Sequence, residues 1–268
     1  MREFDGGEIP FQAEWGKLTG RGVKVALIDS GINAHHSHVG WVAGGVTVRL
    51  GPEGRPTFEE GYRDRLGHGT AAAGIIRLRA PEAELYAVKI FEARLTARIE
   101  AVVAALEWSL DQGMKVVNLS LGTGNQAHKP LLEKVCQKAA DQGLIIVASG
   151  EAGRLHWPAA LSMVIGVAMD PDCPPGHFSY QEGDPIEFRA CGWPRRLPGI
   201  PQAGNLRGPS FASAHLAALC ALVAEEDPGA DVFQVREVLK GRALPSPLGG
   251  IEAEEVHQPW EERCADSG

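Results

Sequence analysis

Three short stretches hold residue types that do nucleophilic chemistry when folding brings them together. Asp29 closes an apolar run in LIDSG, His68 lies between glycines in GHGT, and Ser210 opens an apolar helical run in RGPSFASAHLAAL. A carboxylate can orient an imidazole, and an imidazole can take a proton from a hydroxyl. A serine at a helix start also has backbone N–H groups beside it for a developing oxyanion. Each residue taken alone has an ordinary alternative. An Asp after a strand is often a turn or cap residue. A His flanked by glycines is often structural or exposed, and a Ser ahead of an apolar helix is often its N-cap.

The elements that must position these residues alternate along the chain. Near-continuous apolar runs at residues 23–28, 85–90, 114–121, 144–148 and 163–168 predict strands covered on both faces. Helical patterns fall between and after them, at 93–110, 129–142 and 211–224. Gly113 and Gly143 stop two of these helices and lead directly into strands. The pattern predicts a doubly wound α/β domain, with a mostly parallel sheet and helices on both faces, over residues 1–240. Ligands sit beyond the carboxyl ends of such strands, where Asp29 falls. Residues 50–65 (LGPEGRPTFEEGYRDR) read as a polar, less ordered insertion. Residues 241–268 read as an acidic tail containing Gly and Pro. No internal repeat or second domain is visible.

The bulk numbers narrow the partners. The 268 residues carry a net charge of −8 and are 44% hydrophobic. A sizeable core can form, and the acidic balance argues against nucleic acid as a partner. Five cysteines without CxxC spacing predict free thiols in a reducing compartment. The N-terminal residues lack a secretory h-region, and no apolar run is long enough to span a bilayer. The expectation is a cytoplasmic protein with a peptide or protein substrate, no membrane partner and no cofactor. The oligomeric state stays open.

The surroundings of the three residues share one resemblance. LTGRGVKVALIDSGI, GHGT, LYAVKI, VVNLSLGT and GPSFASA, in the order Asp, His, Ser, resemble the subtilisin-like serine peptidases over roughly residues 12–226. The resemblance implies that Ser210 attacks a peptide carbonyl, His68 relays its proton, and Asp29 holds the imidazole. It implies a substrate strand at Ser120, Leu121 and Gly122, faced by a second at Leu95, Thr96 and Ala97. The family often has glycines on that second strand, so their absence predicts a tighter or reshaped S4 region. Ala148, Ser149 and Gly150, with Arg154 and His156 in a shortened loop, complete the implied substrate set. His156 and Arg154 near the S1 pocket predict a polar or acidic P1 residue; the alternative is that both point to solvent. The form expected is minimal, without a propeptide. Its folding would rest on the core, and low activity or narrow specificity would limit self-damage.

Several positions depart from the family pattern. Glu151 stands where the family usually has the Asn that donates to the oxyanion, and losing one such donor costs about 10²–10³ in kcat. Either Glu151 is protonated and donates, or it swings away and another donor such as Asn205 replaces it, or the enzyme is slow or inactive. Pro209 stands where a Thr is common, which removes a hydroxyl and a backbone donor from the oxyanion region. Ala71 and Ala214 replace a common His and Pro and read as packing changes. At the position of a calcium-ligating Asp there is His38, and residues 74–85 lack a run of oxygen ligands, so that calcium site is expected to be absent. His35, His36 and His38 suggest a metal cluster, against the plainer reading of loop histidines. Three functions follow: a specialised or attenuated endopeptidase, a ligase or cyclase working through the same acyl-enzyme, and a peptide-binding pseudopeptidase.

Overall fold

The computed structural model describes residues 15–244. Nine strands form one sheet: β1 (Lys24–Asp29), β2 (Gly44–Leu50), β3 (Pro56–Glu59), β4 (Glu84–Lys89), β5 (Val116–Leu119), β6 (Ile145–Ser149), β7 (Ile165–Asp170), β8 (Phe178–Tyr180) and β9 (Phe188–Cys191). Their order is β3-β2-β4-β1-β5-β6-β7-β9-β8. The inner pairings are parallel, and only the edge strands β3 and β8 run antiparallel. The chain thus winds outward from β1 in both directions. β1, β5 and β6 are buried almost throughout, which is why they read as unbroken apolar runs.

Among the described residues, five helices cover the sheet: α1 (His68–Arg79), α2 (Ile99–Asp111), α3 (Lys129–Asp141), α4 (Pro209–Glu226) and α5 (Val232–Arg242). α1 packs on α4, and α2 on α3. Right-handed crossovers put the two pairs on opposite faces. α4 spans 18 residues and is buried from Phe211 to Ala224, so it has no polar stripe. Its many alanines let it lie close against β5, β6, β7 and β9. Gly113 and Gly143 take φ values of +66° and +77° after α2 and α3, the expected left-handed helix ends. No helix of the described residues is long and apolar enough to cross a membrane.

Three expectations are corrected. Residues 93–98 are an exposed loop rather than the first turns of α2, because no core lies beside them to bury a helical face. The polar stretch 50–65 is ordered: it forms β3 and then returns to the end of β1, where Ile32 N–H donates to the Tyr62 carbonyl at 2.8 Å. The boundary at 240 falls inside α5, and Leu244 N–H donates to the Phe178 carbonyl at 2.9 Å, tying the chain to β8. The rest of the tail lies outside the described residues. α1 and α5, and the edge region of β2, β3, β8 and β9, are elements the apolar runs did not announce.

The turn into α1 depends on one glycine. A Cβ on Gly69 would lie 2.2 Å from the Gly31 carbonyl oxygen and 3.2 Å from an Asp29 carboxylate oxygen. Only a residue without a side chain brings this turn onto the end of β1. Gly69→Ala is therefore expected to destabilise the fold by about 1–3 kcal/mol through overpacking, as read from urea unfolding midpoints. An unchanged midpoint would contradict this packing.

Candidate active site

Asp29 and His68 meet at the carboxyl end of the central strand. Asp29 is the last residue of β1 and is fully buried; His68 opens α1 and is 7% exposed. His68 Nδ1 lies 2.8 and 2.9 Å from the two Asp29 carboxylate oxygens. The Ser30 N–H donates to Asp29 Oδ1 at 2.6 Å, which helps hold the carboxylate. With Nδ1 engaged as a donor, Nε2 is the nitrogen left to take a proton. Burial works against the charged imidazole. The Asp29 carboxylate, by its charge and its hydrogen bond, and Asp64 together outweigh that cost. The His68 pKa is consequently raised above the ordinary 6.5.

Asp64 is the residue that sequence reasoning missed. It lies in the stretch taken for a loose insertion and is 4% exposed. Its Oδ1 accepts from Ser30 Oγ, Leu66 N–H and Gly67 N–H, each at 2.9 Å. Its Oδ2 accepts from Thr70 N–H at 2.9 Å and Thr70 Oγ1 at 2.6 Å. Ser30 Oγ in turn accepts from the Gly69 N–H at 2.9 Å. One carboxylate therefore gathers the backbone on both sides of His68 and ties it to the end of β1. The available signal was the spacing Asp64-x-x-Gly67-His68: an acid just ahead of a turn commonly accepts the turn's N–H groups.

Ser210 is the second residue of α4, behind Pro209. The Phe211 ring lies 5.0 Å from the His68 ring, which brings the start of α4 to the imidazole. The Ser210 hydroxyl donates to the Ser120 carbonyl at 3.1 Å rather than to His68. Ser213 Oγ donates to the Ser210 carbonyl at 2.9 Å and steadies the turn. Pro209 has no N–H. The Ser210 N–H stands in the first turn, where no intrahelical acceptor exists.

The substrate residues expected from sequence divide into two groups. Ser120, Leu121 and Gly122 follow β5 and lead to Thr123, whose N–H and carbonyl pair with those of Trp157 at 2.9 and 2.8 Å. A Cβ on Gly122 would meet the Ser149 carbonyl at 2.8 Å and His156 Nδ1 at 3.3 Å. Residues 120–122, the 148–150 end of β6 and His156 are thus brought together. Leu95, Thr96 and Ala97 are exposed and form no strand, which corrects the expectation of a facing strand. Their loop presents unpaired backbone instead.

Glu151 is drawn to its own loop. Arg154 Nη1 donates to Glu151 Oε2 at 3.0 Å, and His156 Nε2 lies 3.8 Å from Oε1. The loop is anchored where the Gly153 N–H meets the Asp184 carboxylate, itself paired with Arg189. Arg154 is 67% exposed, so the Glu151 pair is worth well under 1 kcal/mol and fixes orientation more than stability. Asn205 is engaged by its neighbours. Its amide donates to the Arg195 carbonyl at 3.2 Å, and its own carbonyl accepts from Leu206 N–H at 2.9 Å.

The metal expectations meet two observations. His38 N–H donates to His36 Nδ1 at 3.2 Å and the two rings stand edge-on, while His35 is exposed. Among the described residues, no three His, Cys, Asp or Glu side chains are grouped to hold a metal ion. Near the end of α1, the Trp41, Pro81 and Ala83 carbonyls all accept from the Arg77 guanidinium. Oxygens that already face a cation do not fit calcium.

A doubly wound sheet presenting Asp, His and Ser at its carboxyl end, in that chain order, defines the subtilisin-like class. A sequence profile of the subtilase family matches residues 20–257, and the chain belongs to that family. Subtilisin Savinase of Lederbergia lenta is 35% identical over 244 residues, which cover 84% of this chain and 85% of that protein. Minor extracellular protease Epr of Bacillus subtilis (strain 168) is 32% identical over 237 residues. That match takes in 83% of this chain but only 35% of Epr, so the chain spans about a third of that relative's length. A cold adapted subtilisin-like serine proteinase shares the fold with a TM-score of 0.66 and 21% identity, over 84% of each chain.

The electrostatics of His68 make a pH prediction. A general base must be neutral, so activity is lost as pH falls through the His68 pKa. The acid limb of the kcat/KM profile is expected above pH 6.5 in the wild type. In Asp64→Asn, which removes a charge favouring the imidazolium, the limb is expected at lower pH. A limb that stays in place in folded Asp64→Asn protein would reduce Asp64 to a scaffold residue.

Proposed function

We propose that this protein hydrolyses peptide bonds through an acyl-enzyme on Ser210, and that its oxyanion side restrains the rate. The observation that carries the reading is the buried Asp29–His68 pair, with the start of α4 held against the imidazole. The Ser210 hydroxyl turns from the Ser120 carbonyl toward His68 Nε2 and attacks the peptide carbonyl carbon. The proton passes to Nε2, and Asp29 stabilises the imidazolium. On collapse the C–N bond breaks, and His68 returns the proton to the leaving amine. Water then attacks the ester by the same relay and frees Ser210.

Backbone donors carry the oxyanion in this reading. Ser210 N–H supplies one, Pro209 supplies none, and Glu151 accepts from Arg154 within its own loop. The site is therefore short of one side-chain donor, which costs about 10²–10³ in kcat. The substrate lies extended between residues 120–122 and the unpaired loop at 95–97, adding itself as a strand. His156 against Gly122, with the Glu151–Arg154 pair, makes the S1 floor polar. A peptide library showing preference for Phe or Leu at P1 would contradict that. Four described cysteines are free and buried, which supports a reducing, cytoplasmic setting.

A second reading, a peptide-binding module without turnover, draws on the Ser210 hydroxyl being bonded away from His68 and on Glu151. A fluorophosphonate probe separates the two. Labelling is expected on Ser210, absent in Ser210→Ala and strongly reduced in His68→Ala. Folded wild type that takes no label supports the binding module. Glu151→Asn restores a donor and is expected to raise kcat on an amide by about 10². An unchanged or lower kcat would assign Glu151 a supporting role. Product masses distinguish hydrolysis from ligation or cyclisation, in which an amine takes the acyl group.

A further inference from the structure

A cavity of about 340 Å³ opens beside His68, away from the residues assigned to the acyl half of a substrate. One wall is the turn and first residues of α1, Gly67, Thr70 and Ala71, on either side of His68. Another is Asn205 and Leu206, a few residues ahead of Ser210. Residues 120–122 and 148–156 do not line it. A peptide that crosses Ser210 with its acyl half along 120–122 sends its amine half the other way.

The ionisable groups of the cavity are all basic, beside the neutral Asn33, Thr70 and Asn205. Arg195 lines it with His36 and His38, and no acidic side chain is among the lining residues. This runs against a chain whose net charge is −8. The Arg195 stem packs near Gly74 of α1, 3.8 Å from where a Cβ would stand there. Its Nη1 donates to the His38 carbonyl at 3.3 Å, and its own carbonyl accepts from Asn205. Among the described residues no carboxylate pairs with it. The guanidinium has five N–H donors, and one is used. It is thus half-buried, held at both ends and without a counter-charge, a pre-organised arrangement for an anion. His36 accepts at Nδ1 from the His38 N–H, which leaves the hydrogen on Nε2 as a further donor. Burial, Arg195 and His36 hold His38 below its ordinary pKa.

We propose that this cavity is a specificity site for an acidic side chain, Asp or Glu, within the first three residues after the cleaved bond. The proposal rests on the reading of Ser210 as nucleophile. The bound carboxylate accepts from the Arg195 guanidinium and His36, and the small Ala71 side chain leaves the space for it.

The test is cleavage of a peptide library, with the new N-termini identified by mass spectrometry. Asp and Glu are expected to be enriched at positions one to three after the cut. For matched peptides, the acid-to-amide ratio of kcat/KM is expected near tenfold, or about 1.4 kcal/mol. The ratio is expected near one in Arg195→Ala, below one in Arg195→Glu, and reduced in Ala71→Leu, which fills the cavity. No enrichment, or a ratio unchanged in Arg195→Glu, overturns the proposal. If no library peptide is cleaved and Ser210 takes no phosphonate label, the nucleophile reading fails separately. The cavity is then judged by fluorescence polarisation of a labelled Asp-containing library peptide and its Asn counterpart. Tighter binding of the acidic peptide that is lost in Arg195→Glu supports the anion site, and equal binding of the two removes it.

Discussion

The hydrogen bond between Asp29 and His68 is the interaction on which the rest of the site depends. It joins the end of the central strand to the first residue of α1, and both partners are out of water. A buried carboxylate is tolerated only when it is paired and hydrogen-bonded. Asp29 meets that condition with the imidazole and the Ser30 N–H. Asp64 meets it with five donors, all from the segment that carries His68 or from Ser30. Two carboxylates therefore hold one imidazole: one by direct contact, the other by fixing the backbone that presents it. The same charges that orient the ring favour its protonated form, the state the proposed mechanism passes through.

The acyl and amine sides of the site have different characters. On the acyl side, charge cancels locally, because Glu151 is engaged by Arg154 and approached by His156. On the side proposed for the amine half, Arg195 has no such partner among the described residues, and none of them puts an acid in the cavity lining. In the proposed reading, a peptide lying across the site meets a polar floor before the cleaved bond and a positive wall after it. In that reading, selectivity limits the range of bonds cut, and a missing oxyanion donor slows the cutting.

The parts of the fold legible in sequence are those where burial is uniform. β1, β4, β5, β6 and β7 announced themselves as apolar runs, and α3 as a period-3.6 helix ending at a glycine. α1 was not visible as a helix because it is buried on most sides and carries no amphipathic stripe. The ordered segment between β2 and α1 was hidden for the opposite reason. Most of its residues are polar and exposed, and its order comes from single contacts such as the Tyr62 carbonyl to Ile32 and the buried Asp64. Of the site, Asp29, His68 and Ser210 were legible through the residues around them. Asp64 was not, since an acid in a polar stretch looks solvated until the fold turns it inward. The placement of Asn205 and of the 95–97 loop depends on tertiary contacts that no local pattern encodes.

The central claim is that a buried Asp29–His68 hydrogen bond poises the imidazole as a base. Proton NMR of the His68 ring across a pH titration tests it most directly. The account predicts a low-field Nδ1 proton that disappears in Asp29→Asn. It also predicts a His68 titration midpoint above 6.5 that falls in the same variant. A midpoint at or below 6.5 with no low-field proton, in folded wild-type protein, would contradict it.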